Sequence, residues 1–449
     1  MPSGSFLARL GLDRPELRAW AMYDWANSAV QTTIITAVFP IYFVKVAGAG
    51  LAESGAVQRL AMINTIALVI TAIAGPILGA ISDYSATKKR FIAAFMALGT
   101  LATGAMFLVN TGDLDLASWL FVAVLVGVSG SVVFYEALLP HIATPAEMDK
   151  VSTAGYALGY LGGGLLLAAN LAWIQKPEWF GLSPENNLPI RLAFVSVAVW
   201  WLVFSVPLFR GVSEPLATIE PDERPGEAPF RAAFARLGET FRELRGYRQA
   251  FLMLLAFLVY NDGIQTIIKM ATAYGTEIGI DQSALIGAIL LVQFVGIPCS
   301  FLFGALAGRI GPKRAIFLGL VAYTGISILG YFMTSALHFY ILAGMVGMVQ
   351  GGTQALSRSL FASMIPRHKS GEFFGFFSVF EKFAGIFGPL IFALTIAASG
   401  TSRNAILSVI GFFAVGAAIL WKVDLEEGRR AAREAEVSGE PVRSVNGRR

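Results

Sequence analysis

The sequence is short of cysteine, histidine and charge, and each shortage removes a class of explanation. Cys299 is the single cysteine in 449 residues, so no internal disulfide can form. Three scattered histidines, His141, His338 and His368, offer no metal-ligand spacing, and neither a metal nor a cofactor is expected. Charged residues make up 14% of the chain, against roughly 25% in soluble domains. No GxxxxGK[ST] phosphate loop occurs, which removes a nucleotide-driven pump. No small-residue cleavage site follows the first apolar run, so that run is expected to be retained as a helix rather than removed as a signal. The net charge of +4 gives no reason to expect a nucleic-acid partner.

What is present is apolar. Hydrophobic residues reach 55%, mean hydropathy is +0.64, and 34 Phe accompany 47 Gly. That composition indicates an integral membrane protein whose partner is the bilayer. A hydrocarbon core of about 30 Å takes about 20 apolar residues per helix. Twelve such segments start near Trp20, Arg59, Phe91, Leu116, Ser152, Ile190, Arg248, Ser283, Pro312, Ala336, Gly371 and Ser402. An even number places both termini on one side. Lys and Arg gather in the N-terminal segment, the C-terminal tail and the loops after even-numbered helices. Only Lys45, Arg59, Lys176, Arg191 and Arg403 fall in the opposite loops. The positive-inside rule therefore puts both termini in the cytoplasm of a multi-pass inner (plasma) membrane protein.

A polar interruption divides the chain. The expected layout is a cytoplasmic segment (1–19), a six-helix half (20–210), a cytoplasmic linker (211–247), a second six-helix half (248–423) and a disordered tail (424–449). In the linker, Phe230, Phe234, Leu237, Phe241 and Leu244 recur at helical spacing among Arg231, Arg236, Arg242 and Arg245. That amphipathic helix suits either the inner leaflet or the underside of the bundle. The tail has no apolar stripe to drive packing.

The halves are copies. "NSAVQTTI" at Asn27–Ile34 returns as "NDGIQTII" at Asn261–Ile268, an offset of 234. "GAISDYSATKKR" from Gly79 returns as "GALAGRIGPKRA" from Gly304, an offset of 225. Self-similarity on this scale makes each half one structural unit.

Two parallel six-helix halves are the architecture of the major facilitator superfamily. "GPILGAISDYSATKKR" resembles that superfamily's signature between helices 2 and 3, with Gly79, Asp83 and the cluster Lys88, Lys89 and Arg90 in order. The second copy keeps Gly304, Lys313 and Arg314, but Gly308 stands where Asp83 would be, with Arg309 beside it. "YDWANSA" in the first helix and "FYEALLPHIA" at the end of the fourth are similar to the family of the autophagy-associated vacuolar amino-acid effluxer. Glu136 departs from the Asn common at its position in that family. The resemblance implies an all-α integral membrane fold of twelve transmembrane helices in two pseudo-symmetric six-helix halves. It also implies that helices 1, 4, 7 and 10 line a central cavity.

Ionisable residues well inside the helices fit that implication. Asp24, Glu136, Asp262, Lys269 and Arg358 fall on those four helices, and Glu381 and Lys382 on the eleventh. A charge facing lipid costs several kcal/mol, so these face a cavity or each other. Asp24, Asn27, Ser28 and Gln31 share one face of the first helix, at steps of three and four. Asp262, Gln265 and Lys269 repeat the pattern on the seventh, with Asn261 next to them from the repeat, and Gln350, Gln354 and Arg358 do so on the tenth. These are the candidates for solute binding or proton coupling. Three of them read two ways: Glu136 with Arg358 as a gate or a binding pair, and Asp24 as a cavity group or a helix cap. Asp83, the basic clusters around it and around Arg309, and Glu381 with Lys382 read as a gate.

The expected function is a secondary active or facilitative transporter, monomeric, moving a small polar solute by alternating access, with proton coupling open. Mixed charges suit an amino acid or short peptide. Tyr135, Tyr156, Tyr160 and Tyr260 leave an exporter of amphiphilic or lipid-like compounds or drugs as the alternative. A sensor is disfavoured by the retained polar stripes, and an enzyme by the lack of a nucleophile beside a base.

Overall fold

Proline and breaks in polarity decide where each helix begins and bends. The computed structural model describes residues 6–51, 53–216, 242–277, 279–280, 282–384, 387–399 and 402–438. Helix α1 runs Pro15–Ala47. Pro15 opens it in the first turn, where a missing N–H leaves no intrahelical bond unmade. Ahead of Pro40 its hydrogen-bond ladder widens into π-helix over Val30–Val38. Then follow α2 (Glu53–Ser85), α3 (Lys88–Ala105), α4 (Leu114–Ile142), α5 (Met148–Gln175) and α6 (Leu188–Gly211). The second half holds α7 (Arg248–Glu277), α8 (Gln282–Ile310), α9 (Pro312–Tyr331) and α10 (Ala336–Ala362). Its last two spans are each in two pieces: α11 (Ser370–Phe383 and Phe387–Ser399) and α12 (Ser402–Ser408 and Ile410–Trp421). Every expected start lies within two turns of an observed one.

Among the described residues ten helices are long and apolar enough to cross a membrane alone. The other two, α10 and α11, carry Arg358 and the pair Glu381 and Lys382. Packing repeats between the halves: α1 lies against α5 and α6 as α7 does against α11 and α12, and α2–α4 matches α8–α10. Across the seam α2 meets α11 and, by the same pseudo-symmetry, α8 meets α5.

Of the expected layout, one part is not tested and another changes. Residues 217–241 of the linker, with Phe230, Phe234, Leu237 and Phe241, lie outside the described residues. The tail is not disordered from 424: a helix, α13, spans Leu425–Ser438. It docks without an apolar stripe. Gln249 donates to Glu427 at 2.5 Å and accepts from the Asp424 N–H at 2.9 Å, Gly428 packs on Met364, and Arg367 pairs with Glu436.

The basic motif residues also divide. Lys89 Nζ donates to the carbonyls of Phe209 (2.9 Å) and Val212 (2.5 Å) at the end of α6. Lys313 Nζ does the same for Trp421 (2.9 Å) and Val423 (2.7 Å) at the end of α12. Each lysine satisfies terminal carbonyls and the negative dipole end within its own half. Expected gate residues, these two are caps. Lys313→Ala is expected to cost about 1 kcal/mol and lower the melting midpoint by about 2 °C, with uptake retained. Loss of uptake at unchanged melting would refute the capping role.

Candidate functional site

At the end of the bundle that carries the termini, the seam is closed by backbone contact and by carboxylates that reach across it. Gly79 meets Gly371, and a Cβ on Gly375 would lie 2.7 Å from the Gly75 carbonyl oxygen. Only glycine lets α2 and α11 come this close. Asp83 then reaches across. Its Oδ1 accepts from the Gly371 N–H (3.0 Å) and its Oδ2 from the Glu372 N–H (2.9 Å), both in the first turn of α11. A carboxylate there satisfies orphan donors and the positive dipole end. Lys88 pairs with the same carboxylate, and both side chains are nearly buried. Beside them His141 Nε2 lies 2.9 Å from Ser370 Oγ, and Ser359 Oγ donates to Asp149 Oδ1 at 2.6 Å.

Deeper in, the seam holds a buried arginine. Arg358 of α10 is 2% exposed, and its surroundings come from the opposite half. Its Nε donates to Ser152 Oγ (2.9 Å) and its Nη2 to the Ser152 carbonyl (3.0 Å). Both terminal nitrogens approach Asp24 Oδ2, at 3.3 and 3.4 Å, and Nη1 is 3.7 Å from Glu136 Oε1. The guanidinium also lies over the rings of Trp20 and Tyr156, at 4.9 and 4.7 Å from their centroids. Tyr135 stacks on Trp20 and donates its hydroxyl to Asp24 Oδ2 at 2.8 Å. Gly155 leaves the room for this: a Cβ there would press on Asp24 and come 3.2 Å from Arg358 Nη2.

The Glu136–Arg358 pairing is therefore real in geometry. Asp24 is not a helix cap, because Pro15 starts α1 more than two turns earlier. Sequence reading missed Ser152 and Trp20 as site residues and offered Tyr135 and Tyr156 only for the alternative, less polar path, whereas they surround an arginine. An aromatic close to each acidic residue, Trp20 one turn before Asp24 and Tyr135 next to Glu136, was the available signal.

The remaining candidates are spread more widely. Asn261 Oδ1 accepts from Gln354 Nε2 at 2.6 Å, joining α7 to α10. Asp262, 1% exposed, accepts from the Gly388 N–H at 2.9 Å and so faces the second piece of α11. Gln31, Gln265, Gln350 and Glu381 are half-buried. Arg90, Arg309 and Arg314 are exposed. The side chains of Lys269 and Lys382 lie outside the described residues. Among the described residues, Asn27 Oδ1 and Asn261 Nδ2, at equivalent places in the repeat, are buried without a protein partner.

A model of the family described as "Vacuole effluxer Atg22 like" matches residues 57–433. The uncharacterised MFS-type transporter YxiO of Bacillus subtilis is 36% identical over 410 residues, covering 90% of this chain and 93% of its own. Autophagy-related protein 22 of Yarrowia lipolytica is 27% identical over 315 residues, 64% of this chain and 52% of that longer protein. The human organic anion transporter MFSD10 superposes with a TM-score of 0.69 at 15% identity, covering 90% of this chain and 99% of its own. The proton:xylose symporter XylE superposes at 0.66 and 13% identity, covering 95% and 99%. Those two likenesses are of fold.

Proposed function

Because the chain belongs to the Atg22-like vacuole effluxer family and has the major facilitator fold of a multi-pass membrane transporter, we propose that it moves a small polar solute, an amino acid or short peptide, by alternating access. The observation that carries this reading is the seam. Arg358 of one half is buried among carboxylates of the other, held by contacts that separate when two rigid bodies rock. The concentration of Lys and Arg supports a cytoplasmic position for the terminal end, so the state seen here is closed toward the cytoplasm.

Support for a polar solute comes from the unpartnered amide atoms of Asn27 and Asn261, which stand at equivalent places on the first helix of each half. The amphiphile alternative loses its main support. Tyr135 and Tyr156 are engaged with the arginine cluster, and Tyr260 bonds Ser357 at 2.5 Å.

Proton coupling is assigned to Asp262, a carboxylate buried at mid-membrane on the first helix of the second half. The test is uptake of a pooled, labelled amino-acid mixture into proteoliposomes, with and without an inward proton gradient. Asp262→Asn keeps an oxygen for the Gly388 N–H while removing the charge. Gradient-driven uptake in the native protein, and gradient-independent uptake in the variant, are the expected results. Equal gradient dependence in both would remove Asp262 from coupling. No uptake from folded protein would remove the amino-acid reading.

A further inference from the structure

We propose that the first half contains a binding site for an organic cation head group bearing N–H donors, which Arg358 fills as a tethered occupant in the state seen here. This rests on the transporter reading above and names the chemistry of its solute. The elements of the site belong to one body. Trp20 and Asp24 come from α1, Tyr135 from α4, and Ser152 and Tyr156 from α5. The occupant belongs to the other.

The aromatic and acidic walls of the cage are built in advance of its occupant. The Trp20 indole is fixed by its own bond to the Tyr135 carbonyl at 3.0 Å and by stacking on the Tyr135 ring at 4.5 Å. The Tyr135 hydroxyl orients the Asp24 carboxylate, and Ser152 presents both its hydroxyl and its carbonyl oxygen, the hydroxyl donating in turn to the Ala355 carbonyl of α10 at 2.7 Å. None of these orienting bonds among first-half residues needs Arg358. Ring faces and a carboxylate together recognise a cation, and the Ser152 acceptors further require that it carry N–H groups. A guanidinium or a primary ammonium meets both demands. A quaternary ammonium meets only the first.

When the halves part at this end, Arg358 leaves with α10 and the cage faces the adjoining aqueous side. A solute cation then takes the vacated place. If that solute is a zwitterion, its carboxylate is left for Arg358, which has lost Asp24 and needs an anion. Reclosure returns Arg358 to the cage and expels the cation, so occupancy by solute and closure of the seam exclude each other. Coupling of this kind requires that the ligand distinguish the two states, which competition for one cage provides.

The test uses the full chain in nanodiscs, with agmatine, arginine, leucine and tetramethylammonium as probes, read by calorimetry and thermal melting. Arg358→Ala is expected to bind agmatine at least about tenfold more tightly than the native protein, whose cage is filled. Saturating agmatine is expected to raise the melting midpoint of that variant by roughly 5 °C. Tetramethylammonium should bind about tenfold more weakly than agmatine. Adding Trp20→Ala to Arg358→Ala should abolish the effect. Leucine binding would assign the cage to an α-ammonium, and agmatine binding without leucine binding to a side-chain guanidinium. Equal agmatine affinity in native and Arg358→Ala protein, or binding that survives loss of Trp20, would overturn the proposal. Should Arg358→Ala not fold, Arg358→Gln serves in its place. If neither folds, agmatine inhibition of native uptake from the terminal face carries the test, and its absence overturns the site. Binding without any uptake would sink the transport reading and leave the site standing; uptake without binding would do the reverse.

Discussion

Arg358→Ala is expected to abolish coupled transport and to move the protein out of the state closed at the terminal end. The magnitude follows from what stays behind. Removing one partner of a buried ion pair costs about 3–5 kcal/mol, because the other charges remain without water. Here those charges are Asp24 and Glu136, on the first half, and the Ser152 hydroxyl and carbonyl lose their charged donor as well. Opening the seam hydrates them, so most of that cost falls on the closed state alone. A relative loss of 3 kcal/mol is about a hundredfold in population. Spin labels at the exposed Arg90 and Arg314, in a Cys299→Ser background, would report the opening as a longer distance between the halves. Arg358→Lys should be intermediate, because an ammonium keeps the charge but cannot reach Ser152 and Asp24 together in the planar fork. An unchanged distance distribution with native uptake in Arg358→Ala would show that the cluster is not a gate.

The fold was legible because it is written twice. The Asn27 and Asn261 segments, and the two loops beginning at Gly79 and Gly304, declared the duplication, and hydropathy placed the helices. Three of the ionisable residues read from separate helices, Asp24, Glu136 and Arg358, do converge. What one helix face cannot disclose is its partner across a seam. Ser152 reads as an ordinary small residue at the start of α5, and its value comes from lying beside α10 of another folding unit. Asp262 shows the same limit in reverse. Its spacing with Gln265 suggested a shared cavity stripe, whereas its carboxylate turns to the Gly388 N–H of α11. The tail failed for a different reason. Helix α13 buries Gly428 and Ala432 and relies on side-chain hydrogen bonds, so hydrophobic periodicity had little to detect.

Gly375→Leu is expected to disable transport by wedging, with no charge altered. A Cβ at Gly375 would sit 2.7 Å from both the Gly75 carbonyl oxygen and Pro76 Cα, which are backbone atoms and cannot step aside. Overpacking costs about 1–3 kcal/mol where side chains can adjust, and more where only backbone can move. Separating α2 from α11 relieves the clash, so the strain falls on the closed state and adds to the loss of the Asp83 bonds to α11. The second motif copy supplies the control. Gly308 stands where Asp83 does in the first copy, yet a Cβ there meets nothing within 4 Å. At that seam it is Gly304 that touches its neighbour, Thr153, and no carboxylate is needed to cap α5 from across the gap. Gly308→Ala should therefore leave uptake and the Arg90–Arg314 label distance unchanged, while Gly375→Leu lengthens the distance and lowers uptake at least about tenfold. If both variants behaved alike, close approach of α2 and α11 would not be what holds the terminal end shut.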